Sequence, residues 1–197
     1  MRTRQSAFLR HTVDRMIDSP THYWVVMVSD VVWALVFLAV GWAQYTSPLP
    51  VAIAAVVAGF LGWGLLEYVI HRWVLHGALF FARRNHARHH GDVHALISTP
   101  VLGIAMGALA LRVWLGLVLP SGLASLTVFG LYAGYNYFAL LHHLQHHGGA
   151  TIARVAPWRT LATLHDVHHH RPHVNYGITT TCWDRVFRTY DPTPRRA

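Results

Sequence analysis

Five histidines, His71, His76, His86, His89 and His90, crowd the segment HRWVLHGALFFARRNHARHH directly after a long apolar run. His142, His143, His146 and His147 form a second cluster, and His165, His168, His169, His170 and His173 a third. A neutral imidazole is a compact nitrogen donor, so histidines recurring at short spacings point to metal ligation. His86, His89 and His90 stand at i, i+3 and i+4, and His165, His168 and His169 repeat the pattern, which places each trio on one side of a helix. His142/His146 and His143/His147 are i, i+4 pairs. His71 and His76 are five apart, about 140° around an ideal helix, so they require a bend or a site that wraps around the helix.

A lone histidine is most often a surface or satisfied core residue, but four segments supplying two, three, two and three of them are a different matter. Ten imidazoles exceed what one octahedral ion accepts, so two metals are the economical reading. Cys182 is the only cysteine, which excludes a disulfide framework and any multi-cysteine site. All-imidazole coordination suits iron, zinc, copper, nickel or cobalt, and spacing does not choose among them. Neutral ligands leave two divalent ions with about four uncompensated charges, to be balanced by bridging oxide, hydroxide or water and by outer carboxylates.

The elements that must hold these donors are apolar. Hydrophobic residues make up 53% of the chain and charged residues 12%, about half the charged share of a soluble domain. Four runs, about 23–43, 51–70, 101–119 and 122–141, are each long enough as helices to cross a hydrocarbon core of about 30 Å. QYTSPLP joins the first two, and Pro120-Ser121-Gly122 the last two, so two helical hairpins are expected. Gly103/Gly107 and Gly130/Gly134, each at spacing four, favour close helix approach. The fourth run can continue as helix through His147 to Gly148-Gly149, and the second through His76 to Gly77, which sets ligands just outside the bilayer.

The net charge of +8 comes from arginine alone, for there is no lysine. With so apolar a chain this reads as basic membrane flanks, and no nucleic-acid partner is expected. Every arginine except Arg112 lies in residues 1–22, 71–99 or 142–197, and none lies in a hairpin turn. The positive-inside rule then puts both termini and all histidine clusters on the cytoplasmic side. Residues 1–22 form an interfacial segment in which Leu9, Val13, Met16 and Ile17 share a helical face, and residues 23–197 form one membrane catalytic unit. Arg112 either pairs with Asp30 inside the spans or snorkels to the interface.

The boxes H-x4-H (His71, His76), H-x2-H-H (His86, His89, His90), H-x3-H (His142, His146) and H-x2-H-H (His165, His168, His169) occur in the order found in the fatty acid hydroxylase/sterol desaturase superfamily. The flanks EYVIHRWVLHG and NYGITTTCWDRVF also resemble it, so the likeness runs from about Glu67 to Tyr190. The resemblance implies an all-α integral membrane enzyme that uses a non-haem di-iron centre and O2 as co-substrate to hydroxylate or desaturate a lipid. It also implies electrons from a separate haem- or iron-sulfur-type carrier with its reductase. Zinc can replace iron in purified protein, since imidazole binds both. His143, His147, His170 and His173 are imidazoles beyond the family pattern and are further candidate ligands.

Metal-bound histidines usually donate their second ring N–H to an outer acceptor. Glu67, one turn before His71, Asp92 after the second box and Asp166 inside the last are candidates, with Asn175 in a turn that places the last box. The sequence therefore points to four transmembrane helices in two hairpins beneath a cytoplasmic, histidine-rich helical cap, 71–99 and 142–197, that holds two metals. The function expected is hydroxylation of a fatty acid or sterol-like lipid drawn from the membrane, with desaturation as the alternative. A metal transporter is the rival from another class, but no ligands cross the spans as a permeation path needs.

Overall fold

The computed structural model describes residues 19–77, 80–100 and 102–193, apart from the side chains of residues 80 and 81. Residues 1–18, which carry His11 and the face of Leu9, Val13, Met16 and Ile17, lie outside the described residues. All regular structure among the described residues is helical. Ser19 caps the first helix, α1 (Pro20–Ala43), by accepting the His22 N–H, and Pro20 occupies its first turn, where no amide partner is needed. A short turn leads to α2 (Leu49–Val69), which continues into a π-helical turn, Ile70–Leu75. There follow α3 (Phe80–Gly91), α4 (Gly103–Leu115), α5 (Ser121–His147), α6 (Ala150–Arg154), α7 (Ala156–His170) and α8 (Cys182–Val186).

Among the described residues two helices, Pro20–Ala43 and Leu49–Leu75, are long and apolar enough to cross a membrane. Only 28% and 22% of their most apolar windows are buried, whereas the core helix of a soluble protein is mostly buried. Val28 and Leu61 turn outward at 63% and 65% exposure, as lipid-facing side chains do. Trp24 and Trp42 stand exposed near the two ends of α1. At 1.5 Å per residue they are about 27 Å apart, the spacing of aromatic belts at two membrane interfaces.

α5 runs up the middle, packed along both α1 and α2. It carries Tyr132, Tyr135 and Asn136, and its first half is largely buried. Glycine permits the approach: a Cβ on Gly59 would overlap the Thr127 carbonyl, and one on Gly130 the Val56 carbonyl. Gly134 lies against Trp63, but Gly107 faces open space and Gly103 meets only Pro100. The expected approach through Gly103 and Gly107 therefore does not occur. Phe37, Trp63, Val128, Tyr132 and Tyr135 form the core between the three long helices.

The third apolar run is helical over only part of its length, and of the two options for Arg112 the pairing with Asp30 is not taken. α4 has 13 residues, about 20 Å of helix, and stops at Leu115 because Gly116–Leu119 turns back on it. Arg112 does not meet Asp30: its guanidinium donates to Ser125 Oγ at 3.2 Å and to Gln44 Oε1 at 3.0 Å, at the end of α1. Asp30 is instead buried and accepts from Tyr132 Oη at 3.1 Å. At the opposite end of the long helices, the extension of α2, the last turns of α5, and α3 and α7 come together. All ten box histidines lie there.

Candidate metal centre

The π-helical turn resolves the spacing of the first box. His76 N–H donates to the His71 carbonyl at 3.1 Å, an i to i+5 bond, and the wider turn brings both rings to one side. Such π-bulges are concentrated at functional sites. Gly77 ends the turn where a Cβ would overlap the Trp73 carbonyl, so only glycine fits.

The ten imidazoles divide into two groups of five: His71, His76, His86, His90 and His168, and His89, His142, His146, His165 and His169. Within each group the ligand atoms all lie within 4.8 Å of one another. In the first, the Nε2 atom of His86 is 3.0, 2.9 and 3.1 Å from those of His71, His76 and His90, and His76 Nε2 is 3.0 Å from His168 Nε2. In the second, His142 Nε2 lies 3.1 Å from His89 and 3.2 Å from His146, and His165 Nε2 lies 3.0 Å from His146 and 3.1 Å from His169. Converging lone pairs repel unless a cation sits among them. An ion about 2.1 Å from each nitrogen sets right-angled neighbours about 3.0 Å apart, so both groups fit a metal.

Each H-x2-H-H box serves both groups. His86 and His90, at i and i+4, point to the first and His89 to the second; His165 and His169 point to the second and His168 to the first. The reason is helical: i+3 and i+4 differ by 100° in direction, while i and i+4 differ by only about 40°.

The outer partners are backbone carbonyls. His71 Nδ1 donates to the Tyr176 carbonyl at 2.6 Å and His168 Nδ1 to the Val174 carbonyl at 2.7 Å. A carbonyl only accepts, so both rings carry their proton on Nδ1 and turn the Nε2 lone pair to the site. Glu67 is buried but bonds no histidine: it accepts from the N–H groups of Ile178 and Thr179 and from Thr179 Oγ1. Asp92 is exposed and caps His94 N–H, and Asp166 is exposed beside His170. Asn175, at φ 54°, exchanges two hydrogen bonds with the backbone of Asp191 and so fastens the tail. The carbonyls of Val174 and Tyr176 were not foreseeable as partners, although the NYG turn marks their position.

His143, His147, His170 and His173 belong to neither group. His143 Nδ1 meets the Tyr23 hydroxyl at 3.0 Å, and its ring stacks on exposed His147. His170 and His173 are both exposed, and His170 turns back to the Asp166 carbonyl.

Burial, then the neighbouring imidazoles, lowers the pKa of His89 to about 3 and that of His169 to about 2, and His86 falls well below its ordinary range for the same reasons. For His168, burial lowers it to about 3 against the opposing pull of the Val174 carbonyl. These rings are neutral at pH 7, as ligation requires. In the unfolded chain they titrate near about 6.5, so below that pH the unfolded state binds more protons. The stability they contribute is fully present above about pH 6.5 and is lost as pH falls toward about 3. Metal-stripped protein in detergent should therefore unfold at least about 5 °C lower at pH 5.5 than at pH 7.5. An unchanged midpoint would contradict the burial of neutral imidazoles.

A cavity of about 450 Å³ opens below the two groups, between α1, α2, α5 and residues 93–100. Val26, Trp63, Ile104 and Phe138 give it apolar walls, and at its end it meets His86 of the first group and His89 of the second. This is a mainly apolar space bordered by ligands of both groups. A family model described as "Fatty acid hydroxylase" matches residues 56–189, which include every residue of both groups. The chain belongs to the fatty acid hydroxylase family. Over 158 residues it is 31% identical to the ceramide very long chain fatty acid hydroxylase scs7 of Schizosaccharomyces pombe, covering 74% of this chain and 44% of that protein. It is 29% identical over 186 residues to the dihydroceramide fatty acyl 2-hydroxylase FAH2 of Arabidopsis thaliana, covering 80% of this chain and 76% of that one. The chain thus spans less than half of the first of these hydroxylases. A solved structure described as "Full length scs7p (only hydroxylase domain visible)" shares the fold at a TM-score of 0.74 and 22% identity, over 94% of this chain and 72% of that one.

Proposed function

We propose that the protein is an oxygen-dependent hydroxylase of a membrane lipid, with a fatty acyl chain as the part attacked. One observation carries the reading: two five-imidazole groups close the end of an apolar cavity that lies among membrane helices. The family relatives named above as fatty acid and fatty acyl hydroxylases support it. His71, His76, His86, His90 and His168 would hold one ion and His89, His142, His146, His165 and His169 the other. The ions are proposed to be iron, which when bound supplies oxygen activation.

The chain's own residues do the rest. Apolar walls take up the hydrocarbon and exclude water, and the ends of α3 and α5 fix where the chain stops relative to the ligands. Hydroxylation consumes one O2, two electrons and two protons per C–H bond and yields the alcohol and water. Those electrons must be supplied, and a separate haem- or iron-sulfur-type carrier with its reductase is proposed as their donor.

The test compares lipids of cells expressing the intact protein with those expressing His89→Ala, in air and without oxygen. The expected result is a hydroxylated fatty acyl product that needs both oxygen and His89. A new double bond in its place would assign desaturation, and metal uptake by reconstituted liposomes with no lipid product would refute the enzyme reading.

We further propose four spans, about 23–43, 51–70, 101–119 and 122–141, the third crossing as the short α4 together with the turn at 116–119, with both termini and the metal groups on the cytoplasmic side. Support comes from the outward apolar faces and the exposed tryptophans at both ends of α1. Cys182 is exposed at the start of α8, which packs beside the last turns of α2 before the histidine end, and serves as a reference thiol. In sealed vesicles, Ser47→Cys and Ser121→Cys should be labelled from the side opposite Cys182. Labelling of all three from one side would sink the topology.

A further inference from the structure

The two histidine groups are alike in number and spacing but not in what stands behind them. His71 and His168 of the first group each give their Nδ1 proton to a carbonyl of the loop 174–179. That loop is fastened by two buried carboxylates. Asp184 accepts the N–H groups of Tyr176 and Gly177, both at 2.8 Å, and Glu67 accepts those of Ile178 and Thr179 together with Thr179 Oγ1. Asp184 is itself held by Thr189 Oγ1, which also bonds Tyr68 Oη. Gly177 leaves no room for movement: a Cβ there would overlap the Thr180 carbonyl and press on Asp184.

Two ligands of the second group lack such support among the described residues. The Nδ1 atoms of His165 and His169 are buried and have no hydrogen-bond partner among the described residues. No hydrogen bond from the described residues selects their tautomer. An imidazole held in the ligating tautomer loses less freedom on binding than one that must be oriented by the ion itself.

We propose that the two metal positions are unequal: the His71 group is the preorganised, tightly binding position, and Glu67 and Asp184 are its positioning residues, acting through the carbonyls of Tyr176 and Val174. The position of the His165 group is the exchangeable one. This rests on the reading that both groups hold metal.

The experiment is equilibrium competition of the purified, metal-loaded protein in detergent with increasing EDTA, counting ions per chain by mass spectrometry. Two steps should appear, with midpoints at least about 10-fold apart, the scale that outer partners set on metal affinity. His146→Ala should retain only the resistant ion and His86→Ala only the labile one. Glu67→Gln should shift the resistant step about 10-fold to 100-fold toward the labile one and leave the labile step in place. General destabilisation would move both steps together, which separates positioning from a merely structural role. Asp184→Asn provides the same reading if Glu67→Gln does not accumulate. Two ions released in one step, or a resistant ion that survives in His86→Ala, would overturn the inequality while leaving the two-metal reading intact. A single ion per intact chain would overturn both.

Discussion

Replacing His86 by alanine is expected to leave the purified protein with one ion in place of two and to abolish lipid hydroxylation. His86 is the hub of its group, since its Nε2 lies within 3.1 Å of three other ligand nitrogens. Its loss removes a central donor and opens a buried, neutral site to water. The converse substitution, His146→Ala, strips the other group, where that ring bridges His142 and His165. Either change should also loosen the histidine end of the fold, because metal binding there is coupled to folding. His22 bonds Ser98 and His94 is exposed, and alanine at either should keep both ions and full turnover. His170 and His173 should behave in the same way, and His143 and His147, which stand outside both groups but line the cavity, should keep both ions. Ions per chain and product yield across this set are the measurements. Two ions retained in His86→Ala, or loss of an ion in His173→Ala, would mean that the ligand groups are drawn wrongly.

Filling the cavity should stop the reaction without touching the metals. Ala139 lines the cavity on α5, beside Phe138 and just short of His142. In Ala139→Trp the indole occupies space that the acyl chain needs, and a displacement of about 1 Å at the reacting carbon already costs roughly 100-fold in rate. Turnover should therefore fall by about 100-fold or more while metal analysis still finds both ions. Ile104→Ala, which widens the same cavity, should instead shift the preferred chain length. Normal turnover in Ala139→Trp would show that the lipid reaches the metals by another route.

Much of the site can be read along the chain because helical periodicity is local. The stripes at i, i+3 and i+4, the glycines after His76 and His147, and the apolar runs of α1 and α2 follow from the order of residues and the pitch of a helix. So do the donor count and the exclusion of thiolate chemistry. Other features depend on how helices are turned against one another, and no local pattern encodes that. Whether His89 joins His86 or His142 is set by the rotation of α3 between the extension of α2 and α5. The π-helical turn that aligns His71 with His76 arises where α2 runs on into the histidine end, and its extra residue has no signature except Gly77. Arg112 turned to Gln44 because the end of α1 stands beside α4, while Tyr132 on the central helix took Asp30. The acids nearest the boxes were natural candidates to orient the ligands, yet that task fell to the carbonyls of Val174 and Tyr176. Every residue has a carbonyl, so sequence cannot single one out; only the packing of the tail against α2 and α7 decides which two face a histidine.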